Sequence, residues 1–552
     1  MKKLLSVINK TELNFVGRVF SYLFPTSLML GYSYSTTESW SLLFRDSVWM
    51  IIANLVIILI VGSIIQRLVY AAFTALDGLI VVDDSAKYSC IKHRLLSCVI
   101  MLAGWLPILI ANLPGAVPFD GMTQLLEHFG RIPHYGHHPV FITRLYGYIV
   151  ELGSNIKSYN FGVLLVIAFQ VLLCLAVFSG VSAYILQTTG KFSLWLVSAL
   201  FYAAFPVFGV YVSAVMKDTF YMAMATWFLL ELCRFVDQFV APQGTSGNLR
   251  NPLSMIIAGI LMCLSRKEAS VSIAVTIIVA AAIFYKNNRD KKRIILRCLI
   301  VLAAILAVNF AFNFVVFNIM AVPKGEISEA LSIPFQQTAR YVRDCSGDVT
   351  NEEKEAIDAV LPYDKLAESY NPELSDPVKG KMKSDVGMDG YMNYARTWLQ
   401  MGLKKPTVYL EATLNNTYGY FYPFYKSGGV LQFSIEHGQT ERWGSEELDI
   451  YFWLEDTTYR NSVIKIIKGF RNLPVVSLLF NAGTYFWIIV FLITYCIQKK
   501  NAIKFIHLVF PIMTFLVCFA SPVNGSGRYI LVIYSSIVVL TATIFRSDRT
   551  YI

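Results

Sequence analysis

Continuous apolar runs, broken by short polar stretches, recur along this chain at 14–32, 48–68, 95–113, 161–186, 194–213, 219–235, 252–264, 270–285, 295–318, 473–497, 504–520 and 529–545. A hydrocarbon core of roughly 30 Å needs about 20 apolar residues per helix. The pattern therefore predicts an all-α multi-pass membrane protein of about twelve transmembrane helices. A β-barrel is disfavoured, because its strands would alternate apolar and polar positions with period two. The runs 252–264 and 270–285 are short and predict thin, tilted or partly protein-buried helices. The longest polar interruption divides the chain into three parts. Residues 1–318 form an N-terminal transmembrane module carrying a first outer loop at 114–160. Residues 319–472 form a mostly helical outer loop domain, and 473–552 the C-terminal transmembrane helices.

Composition agrees with this. Hydrophobic residues make up 55% of the chain and charged residues 15%, against about a quarter charged in soluble domains. The N-terminal MKKLLSVINKTELNFVGRVF does not read as a cleavable signal, since its apolar stretch is interrupted. The nine cysteines are scattered. Only Cys345 lies in the large polar region, so neither a disulfide framework nor a zinc site is expected.

Charge then orients the chain. Lys2 and Lys3, KNNRDKKR (286–293), QKKNAIK (498–504) and FRSDR (545–549) are basic clusters that an even number of crossings puts on one side, the cytoplasmic side by the positive-inside rule. Both termini are then cytoplasmic. Residues 319–472 hold 22 acidic and 17 basic side chains, and the rest of the chain 15 and 30. The acidic loop thus falls outside. The net charge of +10 is a topology signal and not a nucleic-acid signal.

The unusual charged segments all fall on that outer face. Asp120 follows Pro114, Gly115 and Pro118, which end one helix and start a turn. It reads either as the N-cap of the next helix or as a general base, whose partial desolvation would raise its pKa toward a useful range. Glu127 lies seven residues on, two turns away on the same helical face. His137-His138-Pro139 opens an amphipathic segment. The pair is either polar filler at a helix start or a site for phosphate or sugar hydroxyls. Lys217-Asp218 is either a snorkelling ion pair or a phosphate site at a helix start. Arg266-Lys267-Glu268 puts three charges between two apolar segments, where each costs about 2.5–3.5 kcal/mol at the bilayer centre. Asn524-Gly525-Ser526-Gly527-Arg528 is a glycine-rich turn whose amides and Arg528 suit a phosphate. In the large loop, Tyr418, Tyr420 and Tyr422 form an aromatic cluster that suits either a sugar ring or the interfacial belt.

These residues together resemble the GT-C superfamily of membrane glycosyltransferases. The likeness is closest to Gram-positive bacterial members whose pattern runs Pro-Gly, Asp, Gln, His-His-Pro, here Pro114, Gly115, Asp120, Gln124, His137, His138 and Pro139. The Lys-Asp, Arg-Lys-Glu, SIPFQQTAR, YGYFYP and GRY stretches add to a resemblance that covers most of the chain. It implies an enzyme of the bacterial plasma membrane that uses a polyprenyl-phosphate sugar donor, with the first-loop Asp as catalytic base or metal holder. That role is carried to Asp120 alone. The chain lacks the first-loop Asp-Glu pair of the eukaryotic protein mannosyltransferases, which leaves a divalent metal open, with Asp120, His137 and His138 as its candidate ligands.

The remaining assignments follow from charge and position. Lys217, Arg266, Lys267 and Arg528 are expected to hold the donor phosphate. Glu127, His137, His138, Glu268, Tyr418, Tyr420 and Tyr422 are expected to contact substrate. The implied acceptor is an extracellular cell-wall or surface polysaccharide, reached by inverting transfer from an active site outside the cell. Two alternatives stand beside this reading. A lipid-linked-sugar flippase or transporter would want charges deep in the helices and inverted repeats. A polysaccharide polymerase or ligase would use an oligosaccharide on pyrophosphate.

Overall fold

The structure, a computed structural model, describes residues 13–44, 47–77, 79–82, 88–134, 136–240, 251–287, 291–325 and 327–547. Lys2 and Lys3, and the parts of the basic clusters at 288–290 and 548–549, lie outside the described residues. Among the described residues the architecture is helical, with isolated bridges in place of strands. All nine cysteines are free.

The twelve apolar runs are helical, that at 194–213 as two helices and that at 473–497 as a short 3-10 turn followed by Ala482–Gln498. Side-chain caps set several starts: Ser47, Ser89 and Ser158 accept from the amides of Met50, Lys92 and Phe161. Seven helices among the described residues are long and apolar enough to cross a membrane: Val48–Leu76, Cys90–Ala111, Tyr159–Thr189, Lys217–Phe239, Ala269–Lys286, Lys291–Ile319 and Ala502–Phe519. Phe192–Ala204 and Pro206–Val212, bent by 56°, make an eighth if taken as one span. The bend falls where Pro206 removes an amide donor and holds Phe205 extended.

Of about twelve expected crossings, seven or eight are thus matched by a helix of sufficient length and hydropathy among the described residues. Leu253–Ser265, Ala482–Gln498 and Leu531–Phe545 are apolar but short. At 1.5 Å per residue they reach about 20–26 Å, less than the hydrocarbon thickness. The first run, Phe15–Thr37, is helical but carries seven Ser and Thr side chains.

Burial sorts the helices. In the apolar 18-residue window of Lys217–Phe239, 89% of residues are buried, against 6% in that of Val48–Leu76. The first is the centre of the bundle, and the second leans on its rim against Phe15–Thr37. Close crossings depend on glycine at one contact in particular. A Cβ on Gly153, in helix Val140–Ile156, would lie 2.2 Å from the Cα of Gly162 in the next helix. Gly153→Ala is expected to push these helices apart and cost about 1–3 kcal/mol, read as a lowered thermal midpoint of the purified protein.

The long polar region 319–472 is two structures rather than one. Helices between Ser332 and Asn415 close around their own core, including Phe335, Tyr341, Ile357, Leu361 and Tyr394. Residues from Tyr418 onward pack into the main core through Tyr420, Val430, Leu448, Ile450 and Val463. They run as an extended strap: Ile435 bridges Val117, and the Trp453 amide donates to the Leu113 carbonyl at 2.9 Å.

The helix ends fall into two groups. At one end the Asn14 amide donates to Gln498 at 2.9 Å, Lys499 pairs with Asp77 at 2.6 Å, and Arg546 pairs with Asp237 at 2.6 Å. The other end gathers 112–134, 136–139, 213–218, 265–268 and 521–529. The helix Lys217–Val240 joins the two ends, since Asp237 lies 20 residues, or about 30 Å, from Lys217.

Candidate functional site

Helix Phe119–His128 starts at Pro118, which makes no side-chain cap. Asp120 sits in the first turn and does not act as N-cap. The segment before it pairs with the stretch that follows helix Pro206–Val212: the Ala116 amide donates to the Ser213 carbonyl at 3.0 Å, and the Val215 amide donates back to the Ala116 carbonyl at 2.8 Å. Gly121 allows this approach, since a Cβ there would meet the Val215 carbonyl at 2.1 Å. This short pairing carries Asp120 to the start of the Lys217–Val240 helix.

A chain of alternating charges follows. Lys217 Nζ lies 3.4 Å from Asp120 Oδ2 and donates to His138 Nδ1 at 3.0 Å. Arg528 bonds the same Asp120 oxygen through a terminal nitrogen and Asp218 Oδ2 through Nε, the latter at 2.7 Å. Arg266 bonds the other oxygen of Asp218 and reaches Glu268 Oε1 at 3.2 Å. Its guanidinium lies over the rings of Tyr221 and Tyr529, 4.9 and 5.6 Å from their centroids. Lys267 Nζ donates to the Gly136 carbonyl. The side chain of Asp218 is 1% exposed, and those of Asp120 and Arg528 are 22% and 21% exposed. Asp218 is thus the floor of the cluster, and Asp120 with Arg528 its mouth.

The structure brings together Asp120, His138, Lys217, Arg266, Lys267, Glu268 and Arg528 from five separate segments. His137 stands at the edge, its ring against His138 at 4.9 Å and its Nδ1 3.9 Å from Glu329. Glu127 is elsewhere: it points inward and pairs with His134 at 3.2 Å. The sequence missed Asp218 as the hub, because a Lys-Asp step at a helix end does not reveal that two arginines arrive from 48 and 310 residues away.

The three tyrosines require a correction. Tyr418, Tyr420 and Tyr422 are 3%, 0% and 9% exposed, so a sugar ring has no face to stack on. Tyr418 donates to Glu373, Tyr420 donates to the Val523 carbonyl at 2.8 Å, and Tyr422 packs against Gly31. The glycines of the 524–528 turn are likewise spent on the chain itself. Gly419 donates to Asn524 Oδ1 at 2.7 Å, Gly527 donates to the Gly428 carbonyl at 3.0 Å, and Gly525 lies against the Tyr425 ring. The aromatic segment and this turn are one assembly whose effect is to hold Arg528 in place.

The electrostatics also differ from expectation. Burial alone would raise the Asp120 carboxyl, but Arg528, Lys217 and His138 outweigh it and hold it well below the usual carboxylate range. His138 is pushed down to about 3, by burial first and then by Lys217. It is a neutral acceptor of the Lys217 proton. Among the described residues no three His, Cys, Asp or Glu side chains are grouped to hold a metal ion. Asp120 faces cations, and the Nδ1 of His138 is engaged by Lys217.

A pH prediction follows from His138. Its folded value lies below the unfolded one of about 6.5, so below that pH the unfolded chain binds more protons and stability falls. The loss runs from about pH 6.5 down toward about 3. His138→Gln is expected to flatten part of that acid-side decline in a series of thermal midpoints.

Fold and site together define a helical membrane protein with a compact charged centre at one end of its bundle. The chain belongs to the DUF6020 family, a family of unknown function whose model matches residues 135–552. No curated protein and no solved structure matches it. The match takes in every member of the charged centre except Asp120.

Proposed function

We propose that this chain is a membrane glycosyltransferase that moves one sugar from a polyprenyl-phosphate donor to a cell-wall or surface polysaccharide, with inversion. The observation that carries the reading is the meeting of Lys217, Arg266, Lys267 and Arg528 with Asp120 at one end of the bundle. Lys217 and Arg528 touch Asp120, Arg266 and Arg528 hold Asp218, and Lys267 stands on the Gly136 carbonyl beside them; such a cluster, partly sheltered from water, suits a lipid phosphate beside a proton acceptor. In this reading the chain crosses the bacterial plasma membrane about twelve times, its termini cytoplasmic and its centre outside.

Asp120 takes the proton of an acceptor hydroxyl. The oxygen forms a bond to the anomeric carbon as the bond from that carbon to the phosphate oxygen breaks. The bonding pair leaves with the lipid phosphate, whose charge grows by one. Arg528, Arg266 and Lys267 offset that charge, with Lys217 in support. Loss of one such contact commonly lowers a rate about 100–1000-fold.

The test uses full-length protein in lipid nanodiscs, supplied with polyprenyl-phosphate-linked sugars and cell-wall glycan. Sugar appearing on the glycan, with the anomeric centre inverted, supports the reading. A deletion strain whose surface glycan keeps every sugar would argue against it. Movement of donor across the bilayer without transfer would replace it with a flippase.

A further inference from the structure

Arg528 presents an economy that simple phosphate binding leaves unexplained. Its guanidinium is shared by two carboxylates of different character. Nε is fixed at 2.7 Å on Asp218, which is 1% exposed and held on its other oxygen by Arg266. The terminal nitrogen reaches Asp120 at the mouth. Asp218 cannot follow a movement of Arg528, because Arg266 pins it. The Nε bond is therefore a pivot, and the bond to Asp120 is the end that can swing.

From this geometry we infer that Arg528 is an exchangeable counter-ion, which clamps Asp120 in the substrate-free protein and is drawn off it by an incoming phosphate. The inference rests on the donor and base assigned above, and adds how the two are coupled. Asp120 offers one oxygen to Arg528 and shares it with Lys217. A phosphate offers two or more oxygens to the planar guanidinium fork, the arrangement arginine binds most strongly. The exchange also follows the charge through the reaction. Before transfer the carboxylate and the donor phosphodiester each carry one negative charge. Afterwards Asp120 holds the acceptor proton and is neutral, and the lipid phosphate carries the additional charge. Arg528 can pair with the excess negative charge at both stages by turning about Asp218. Asp120 gains basicity only when the donor is seated, which protects the donor from loss to water.

The groups that face Asp120 are Arg528 and Tyr529 from the 524–530 turn, Lys217 from the central helix, and His137 and His138 from the turn before helix Val140–Ile156, with Asp218 behind them on Arg528. Those in direct contact with its carboxylate are Arg528 and Lys217. Lys217 stays tethered to His138, so the movable contact is that of Arg528.

Infrared difference spectroscopy on the full-length protein in nanodiscs tests this. The carboxyl band that disappears in Asp120→Asn is titrated against pH alone, with a ten-carbon isoprenyl monophosphate, and with inorganic phosphate. Binding of each probe is measured separately by retained radiolabel. The isoprenyl phosphate is expected to raise the titration midpoint by about 1–3 pH units, the scale of one close charge. Arg528→Gln is expected to start from the raised midpoint and to respond little. Arg528→Lys keeps the charge but cannot bridge both carboxylates, and is expected to lie between. Probe that binds without moving the midpoint overturns the exchange and leaves the donor reading standing. A shift with inorganic phosphate alone upholds the exchange and overturns the lipid donor. No binding of either probe overturns both.

Discussion

Asp120→Asn is expected to lower the rate of the proposed sugar transfer by about 10²–10⁴-fold, the range a positioned proton acceptor contributes. The amide keeps the size of the side chain and a carbonyl acceptor for Arg528, and the site is partly open. The protein should therefore insert and fold as the parent does. Transfer measured on nanodisc samples of matched folded content is the check. Near-parental transfer by Asp120→Asn would remove the base from the mechanism and leave only the phosphate-binding cations. The structure sharpens what this experiment asks, because Asp120 rests as a fully ionised partner of Arg528 and Lys217. Its substitution removes a counter-ion as well as a base. Donor affinity measured alongside separates the two: a lost base lowers turnover, whereas a freed Arg528 alters donor binding.

Asp218→Ala is expected to be the most destabilising change at this end of the bundle, at about 3–5 kcal/mol. It would leave Arg266, 11% exposed, and Arg528 without the buried carboxylate that both share. Thermal unfolding in detergent, with the yield of monodisperse protein, is the measurement. The cause is testable by reversal. Adding Arg266→Met removes one of the stranded charges and is expected to recover part of the loss, since replacing buried ion pairs with apolar groups is often neutral or stabilising. A double variant no more stable than Asp218→Ala would place the cost in packing rather than in unpaired charge.

Much of this molecule was legible in its apolar pattern. The run at 161–186 is the helix Tyr159–Thr189, and the run at 504–520 is Ala502–Phe519. Continuous apolar sequence leaves the backbone one economical way to satisfy its amides in a membrane, and that is local. The number of crossings was less legible. Length and polarity of a run do not say whether neighbours bury it. Leu531–Phe545 is a 15-residue helix almost wholly enclosed by protein.

The site was legible in part, for a related reason. Charged residues are costly next to lipid wherever they lie, so Asp120, Lys217, Arg266, Lys267 and Arg528 stood out one by one. Their pairing did not. The sequence favoured a raised Asp120 and an open aromatic patch, and both judgements depended on neighbours it could not supply. Tyr420 looks alike in a sugar platform and in a brace for Val523.

The sequence by itself determined the helices, the segregation of acidic from basic segments and the short roster of charged residues, because these depend on hydrophobicity and on contacts a few residues apart. Only the tertiary structure decided that Asp218 is the hub, that Arg528 spans two carboxylates and that Glu127 turns away toward His134. Those outcomes rest on contacts such as that between Asp120 and Arg528, 408 residues apart. The energy of such a charge is set by which partners surround it and how little water reaches them, and no local pattern encodes either.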